Sequence, residues 1–211
     1  MNLNKSLMFK NLKIEMHPDV YEPAEDTFLL IDSIKLSLGN SVFEVGSGTG
    51  LIALYCSSLG ANVVCCDINP IAVELIKKNY LINQKFLRGN FDVRIGSLFS
   101  VLNYKDSFDV IIFNPPYLPT IKKDLVGGSG WFDMAVSGGI DGLNIIKRFI
   151  NQVSGFLRKN GRIYFVFSSL SDIDKLESII KKNNFIFEIV NSCRFDDEII
   201  YVYKLVIQDK F

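Results

Sequence analysis

Asn114-Pro115-Pro116-Tyr117 is the segment best suited to chemistry in this chain. It follows an apolar run, Phe108 to Phe113, that reads as a buried strand. Proline fixes φ, carries no N–H and pushes the preceding residue out of helical conformation. A strand ending in Asn and two prolines therefore places a rigid turn at the carboxyl edge of a sheet, where open α/β sheets bind their ligands. Carbonyl oxygens, the Asn114 side chain and the Tyr117 ring would face that cleft. Such a set suits a planar NH2 group: two acceptors take its two N–H bonds and an aromatic face covers it. Pro116 shapes the same acceptor site.

A second constellation is Glu44-Val45-Gly46-Ser47-Gly48-Thr49-Gly50. It joins a strand, Ser41 to Val45, to a helix, Leu51 to Leu59, which Gly60 ends. Glycines there tolerate positive φ and let backbone approach a ligand. The spacing is GxGxG after a carboxylate, and Leu51 stands where the dinucleotide fingerprint needs a third glycine. That pattern suits an adenosine bearing an amino acid, without pyrophosphate. Asp67 ends the next strand, Asn62 to Cys66, where such sheets place a carboxylate for two ribose hydroxyls. Glu44 acts through the glycine turn or on a ligand ammonium.

These motifs need a scaffold, and the rest of the chain supplies one. Pro23 to about Leu38 reads as a helix with Glu25 and Asp26 at its positive end and Phe28, Leu29, Ile31, Ile34 and Leu38 as its apolar stripe. Pro70 opens a helix to about Ile82. Strands follow at Asp92 to Gly96 and Phe108 to Phe113, then a helix from about Leu143 to Leu157, stopped by Gly161. Arg162 to Ser168 is a strand, and Ser171 to Lys182 a helix with Ser171 as its cap. Phe185 to Val190 and Glu198 to Ile207 lie too close for an intervening helix and pair antiparallel. The alternation predicts a doubly wound, mostly parallel α/β sheet of seven strands with a C-terminal antiparallel hairpin. One domain, 1–211, is expected, with residues 1–40 forming a segment and helix over the cofactor site. Pro119 to Gly139 is a long irregular stretch holding five glycines and the only tryptophan, Trp131. A loop of that length in a compact domain is functional or disordered, and Trp131 serves either core packing or substrate contact.

Composition narrows the classes. The chain has 211 residues, 48% of them hydrophobic, enough for one sizeable core. No apolar run reaches the ~20 residues that span a bilayer, and Met1 to Lys10 lacks the apolar stretch of a secretion signal. A soluble protein of the cytoplasm or nucleus is expected. Cys56, Cys65, Cys66 and Cys193 show no CxxC spacing and His17 stands alone, so no metal site is indicated. Lys plus Arg and Asp plus Glu both number 23, a balance that disfavours unaided binding of nucleic acid.

Taken together, the glycine turn, the acid at the next strand's tip and Asn-Pro-Pro-Tyr at the fourth strand resemble a Rossmann-like class I S-adenosylmethionine-dependent methyltransferase. Val20 to Leu30, Asp67-Ile68-Asn69-Pro70 and Ser137 to Gly142 are similar, more narrowly, to HemK-like glutamine methyltransferases of translation release factors, in their eukaryotic and archaeal form. The resemblance covers nearly the whole chain, without the extra N-terminal domain of the bacterial members. It implies S-adenosyl-L-methionine as cofactor, bound by Thr27, Glu44, Gly46, Gly48, Gly50, Asp67, Ile68 and Asn114. Near the adenine the family often has an acid; Ser97 stands there, a weaker acceptor that shares the contact with Leu98 or backbone. The resemblance implies methylation of the glutamine amide in a Gly-Gly-Gln loop, with Asn114, Pro115 and Tyr117 as the catalytic set. It also implies a small zinc-binding activator protein at the third-strand edge, Asp92 to Ile95. The same Asn-Pro-Pro-Tyr chemistry serves adenine N-methylation of DNA or RNA, the runner-up; protein lysine methylation and an inactive scaffold are further readings.

Overall fold

The computed structural model describes residues 5–119 and 130–208. An N-terminal hairpin, β1 (Ser6–Phe9) and β2 (Leu12–Glu15), precedes α1 (Glu25–Ser33). There follow β3 (Ser41–Val45), α2 (Leu51–Ser58), β4 (Asn62–Asp67), α3 (Pro70–Asn83), β5 (Phe91–Ile95) and β6 (Phe108–Phe113). The second half contributes α4 (Trp131–Val136), α5 (Asn144–Val153), β7 (Leu157–Ser168), α6 (Ile173–Lys182), β8 (Phe185–Phe195) and β9 (Glu198–Ile207). The main sheet has seven strands in the order β5-β4-β3-β6-β7-β9-β8. Its first five strands are parallel; β9 runs antiparallel to both β7 and β8. This is the Rossmann-like class I methyltransferase arrangement.

Central strands covered on both faces must be apolar throughout. Val110, Ile111 and Ile112 of β6 and Ile163, Phe165, Val166 and Phe167 of β7 are fully buried. Chain order reverses between β3 and β6: β3 leads outward to β4 on one side and pairs with β6 on the other. That switch point opens a crevice beyond the carboxyl ends of β3, β4 and β6, the place where the three sequence motifs lie.

Several boundaries differ from the sequence reading. The helix expected over Pro23 to Leu38 spans only Glu25–Ser33, because Ala24 and Ile34 are extended. Its buried face runs through Asp26, Thr27, Leu30 and Ile31, whereas Phe28 and Leu29 are half-buried. Phe28 stacks on Phe9 of the hairpin, which the sequence reading missed because its strands have four residues each. That hairpin is fixed to α3 by side-chain amides. Asn79 exchanges hydrogen bonds with Glu15 N and O, and Asn83 does the same with Lys13 N and O. Strand β7 starts at Leu157 rather than Arg162, with an irregularity in its pairing to β6 near Phe108. Strand β8 runs on to Phe195 through a register shift near Val190. The cap of α6 is Asp172, whose carboxylate accepts from Lys175 N; the Ser171 hydroxyl donates instead to Tyr117 O.

Among the described residues no helix is long and apolar enough to cross a membrane, and no cluster of His, Cys, Asp or Glu could hold a metal ion. Cys56, Cys65 and Cys66 are buried free thiols, their pKa values pushed up by burial, so they remain protonated and inert. Residues 120–129 of the irregular stretch lie outside the described residues; Pro119 and Gly130 to Gly139 flank them.

Candidate active site

A cavity of about 300 Å³ occupies the switch point. The glycine turn forms its floor. Gly46 and Gly48 have φ of 62° and 54°, a left-handed conformation that favours glycine. Ser47 N donates to Cys66 O, and Gly48 N to the Asp67 carboxylate at 2.9 Å, so the turn is tied to the tip of β4. Gly50 also has positive φ, but it lies outside the cavity lining. A Cβ there would meet Ile76 at 3.1 Å, so its smallness serves the packing of α2 on α3.

Asp67 is 8% exposed, and its carboxylate accepts from Gly48 N on one oxygen and Asn69 N on the other, with Ile68 N also turned toward it. A carboxylate offers about four lone-pair sites, so capacity remains for two hydroxyls of a diol. Burial raises its pKa; the backbone hydrogen bonds oppose that. Glu44 sits deeper. Burial pushes its pKa up to about 8, partly offset by hydrogen bonds from Ser47 and Ala53 and reinforced by the charge of Asp67. Its Oε2 is buried without a hydrogen-bond partner. Two buried acids side by side, one with an orphan oxygen, fit a cationic ligand that carries a diol.

The acceptor end is built around Asn114, whose Oδ1 is likewise buried without a partner. Its Nδ2 donates to Asp26 Oδ2 at 3.0 Å. The Tyr21 and Tyr117 hydroxyls donate to the same oxygen, each at 3.2 Å. Burial and the Asp26 charge push both phenols well above their ordinary pKa, so both stay protonated donors. Pro115, Pro116 and Tyr117 line the cavity beside them. The loop is braced from behind by Ser137 to Gly142. Gly138 N donates to Leu118 O, and a Cβ on Gly142 would strike Tyr117 O at 2.4 Å. The glycines of that motif thus permit close approach of backbone to the acceptor loop.

Thr27, Ile68, Ser97 and Leu98 line the same cavity, so the structure brings together every site residue read from the sequence except Gly50. Trp131 and Met134 of α4 add an apolar wall. Sequence reasoning missed Asp26 and Tyr21 as site residues. Asp26 lies 88 positions from Asn114, and its first-turn place had a sufficient explanation in the helix dipole. The available signal was its spacing: Asp26 precedes Leu30 by one turn and so shares the buried face.

Residues 11–127, more than half of the chain, match the model of the methyltransferase small domain family. The chain belongs to that family. The methyltransferase is 38% identical over 181 residues to a chain of Methanocaldococcus jannaschii that bears the name of a putative protein N5-glutamine methyltransferase; the match covers 85% of this chain and 88% of the relative. It is 31% identical to methyltransferase HEMK2 of Homo sapiens over 77% of this chain and 78% of that one. Its fold matches the E. cuniculi Mtq2–Trm112 complex, responsible for methylation of the eRF1 translation termination factor, with a TM-score of 0.69. That match covers 90% of this chain and 99% of the other at 24% identity, a likeness of fold.

Proposed function

We propose that this methyltransferase transfers a methyl group from S-adenosyl-L-methionine to the side-chain nitrogen of the glutamine in the Gly-Gly-Gln loop of a class I translation release factor. The observation that carries the reading is Asn114 Oδ1, a buried acceptor without a partner in the cleft wall beside the glycine turn. A buried acceptor left unpaired costs free energy until a donor arrives, and a carboxamide brings two N–H bonds. The name borne by the archaeal relative and the fold shared with the eRF1-methylating complex point the same way.

Bound S-adenosylmethionine supplies a methyl group on a sulfonium. Asp67 would hold its ribose diol, Ser97, Leu98 and Ile68 its adenine, and Glu44, Thr27, Gly46 and Gly48 its amino-acid end. An amide nitrogen is a poor nucleophile because its lone pair is delocalised into the carbonyl. Asn114 Oδ1 and the Pro115 carbonyl would hold its two hydrogens and turn the lone pair out of conjugation. Those hydrogen bonds strengthen as positive charge develops on nitrogen, which lowers the barrier, and one of the two held hydrogens then leaves as a proton to solvent, so the methylated amide ends neutral. Tyr117 would pack on the planar amide, and the fixed Asn-Pro-Pro turn supplies positioning.

The same reading treats residues 1–211 as one catalytic domain and provides for a small zinc-binding activator. Strand β5 is an edge of the sheet, and Ile95 on it, Leu81 on the adjoining α3 and Tyr104 in the connection that follows β5 are exposed side chains. An unpaired edge beside apolar surface recruits a partner strand. A release-factor substrate fits an enzyme of the cytoplasm.

Labelled-methyl transfer to a release factor, its Gln→Ala variant and duplex DNA, with and without the activator, tests the proposal. Label is expected in the release factor alone and absent from the Gln→Ala variant; label in DNA and not in the release factor reverses the assignment. Asn114→Ala is expected to lower turnover at least ~10²-fold while cofactor affinity changes less than about threefold. Wild-type turnover in that variant removes Asn114 from the chemistry.

A further inference from the structure

We propose that Asp26 is the positioning residue that decides which end of the Asn114 side chain the cleft presents; this rests on Asn114 being the group that receives the acceptor NH2. Asp26 is 3% exposed and accepts five hydrogen bonds. Its Oδ1 takes Thr27 N at 2.6 Å and Thr27 Oγ1 at 3.1 Å. Its Oδ2 takes Asn114 Nδ2, Tyr21 OH and Tyr117 OH. An ionised carboxylate has only acceptors to offer, so whatever faces Oδ2 must donate.

The two ends of an asparagine amide have nearly the same shape, and rotation about χ2 exchanges them at little steric cost. Chemically they are opposites. With the NH2 end on Asp26, the oxygen faces the cleft and receives N–H. With the oxygen on Asp26, two acceptors meet in a buried site and the cleft presents NH2, a donor set against the donors of the acceptor group. A charge-assisted hydrogen bond biases that choice by ~10²-fold. It also draws density within the amide toward Oδ1, which strengthens that oxygen as an acceptor.

The donor set is closed on three sides: Tyr21 from the segment before α1, Tyr117 from the loop after β6, and Thr27 from α1 itself. A carboxylate serving only as a helix cap would need Thr27 N and nothing more. Here the groups that meet Asp26 are all satisfied donors, and the atom left without a partner in this cluster is Asn114 Oδ1. The arrangement delivers a single oriented acceptor to the cavity. Asp26 acts through Asn114 and holds no reacting atom.

The test compares Asp26→Asn, Asn114→Asp and the double exchange Asp26→Asn/Asn114→Asp in the whole chain, with the activator present. Turnover on the release factor is read beside cofactor affinity by calorimetry. Asp26→Asn is expected to cut kcat ~10²-fold with cofactor Kd within about threefold, because the new amide keeps its oxygen on Thr27 and sets its NH2 against the Asn114 NH2. The double exchange is expected to recover about tenfold over Asp26→Asn. The amide introduced at position 26 then donates to the carboxylate introduced at position 114, whose second oxygen faces the cleft. Wild-type kcat in Asp26→Asn, an equal loss of cofactor affinity, or no recovery in the double exchange overturns the inference. In the unaltered enzyme the Asn114 side-chain NH2 should exchange slowly with solvent by NMR; fast exchange also overturns it, whether or not any variant folds. If the wild type labels only duplex DNA, the release-factor assignment fails, and the same three variants are then compared on adenine, which presents the same NH2.

Discussion

Raising the pH from 6 to 9 should tighten cofactor binding, and Glu44 is the reason. Its pKa of about 8 in the ligand-free enzyme means that roughly one carboxyl in ten is ionised at pH 7. A sulfonium and an ammonium entering beside it favour the ionised form, so binding expels the proton. The structure sets the magnitude: about 0.9 proton released at pH 7, about half at pH 8, and about a tenth at pH 9. Apparent affinity should rise close to tenfold per unit below pH 8 and level off above it. Calorimetry in two buffers of different ionisation enthalpy reads the proton count directly. The cofactor's own amine also titrates, so Glu44→Gln is the control and should remove most of the buffer dependence. Identical proton release in wild type and Glu44→Gln would show that Glu44 does not face the bound cation. The same raised pKa affects folding with a defined sign. Between about 4.5 and 8 the folded state holds a proton that the unfolded chain has lost, so the Glu44 contribution to stability declines as pH rises through that window. The slope is at most about 1.4 kcal/mol per pH unit, and thermal melting of wild type against Glu44→Gln should show it.

Three further outcomes are expected. Asp67→Ala should weaken cofactor binding ~10²-fold by removing two charge-assisted hydrogen bonds, and should lower the melting temperature by stranding Gly48 N and Asn69 N; unchanged calorimetric affinity would count against the ribose role. Asn79→Leu leaves Glu15 N, Glu15 O and Thr49 O without their partner, so urea unfolding should show a loss of about 3 kcal/mol and the cofactor should bind more weakly through the disturbed glycine turn. Ile95→Lys, at a side chain 60% exposed on the edge strand, should weaken the activator about tenfold or more while cofactor affinity holds; equal activator binding would place that interface elsewhere.

Much of the scaffold was legible because each element carried its own local signal. Phe108–Phe113 and Ser41–Val45 fall where the apolar runs end at Asn-Pro-Pro and at Gly-Ser-Gly, since backbone restriction at Gly and Pro acts within a residue or two. The β1–β2 hairpin gave no such signal. Its strands are held by Asn79 and Asn83 from another element, and no property of residues 6–15 alone announces that attachment. Helix α1 is shorter than its sequence pattern suggests: it ends at Ser33, where Ile34 turns extended, with no Gly or Pro at that point to mark it.

From its sequence alone the chain determined its fold class, its glycine turn, the acid at Asp67 and the Asn-Pro-Pro-Tyr loop, because these are contiguous patterns whose physics is local. Tertiary structure alone decided that Gly50 packs against Ile76 and stays outside the cleft lining. It alone made Glu44 an acid of pKa about 8. It alone joined Asp26 to Tyr21, Asn114 and Tyr117. Burial and hydrogen-bond partnership are properties of what surrounds a side chain in space, and they arise only when segments far apart in the chain close around one cavity.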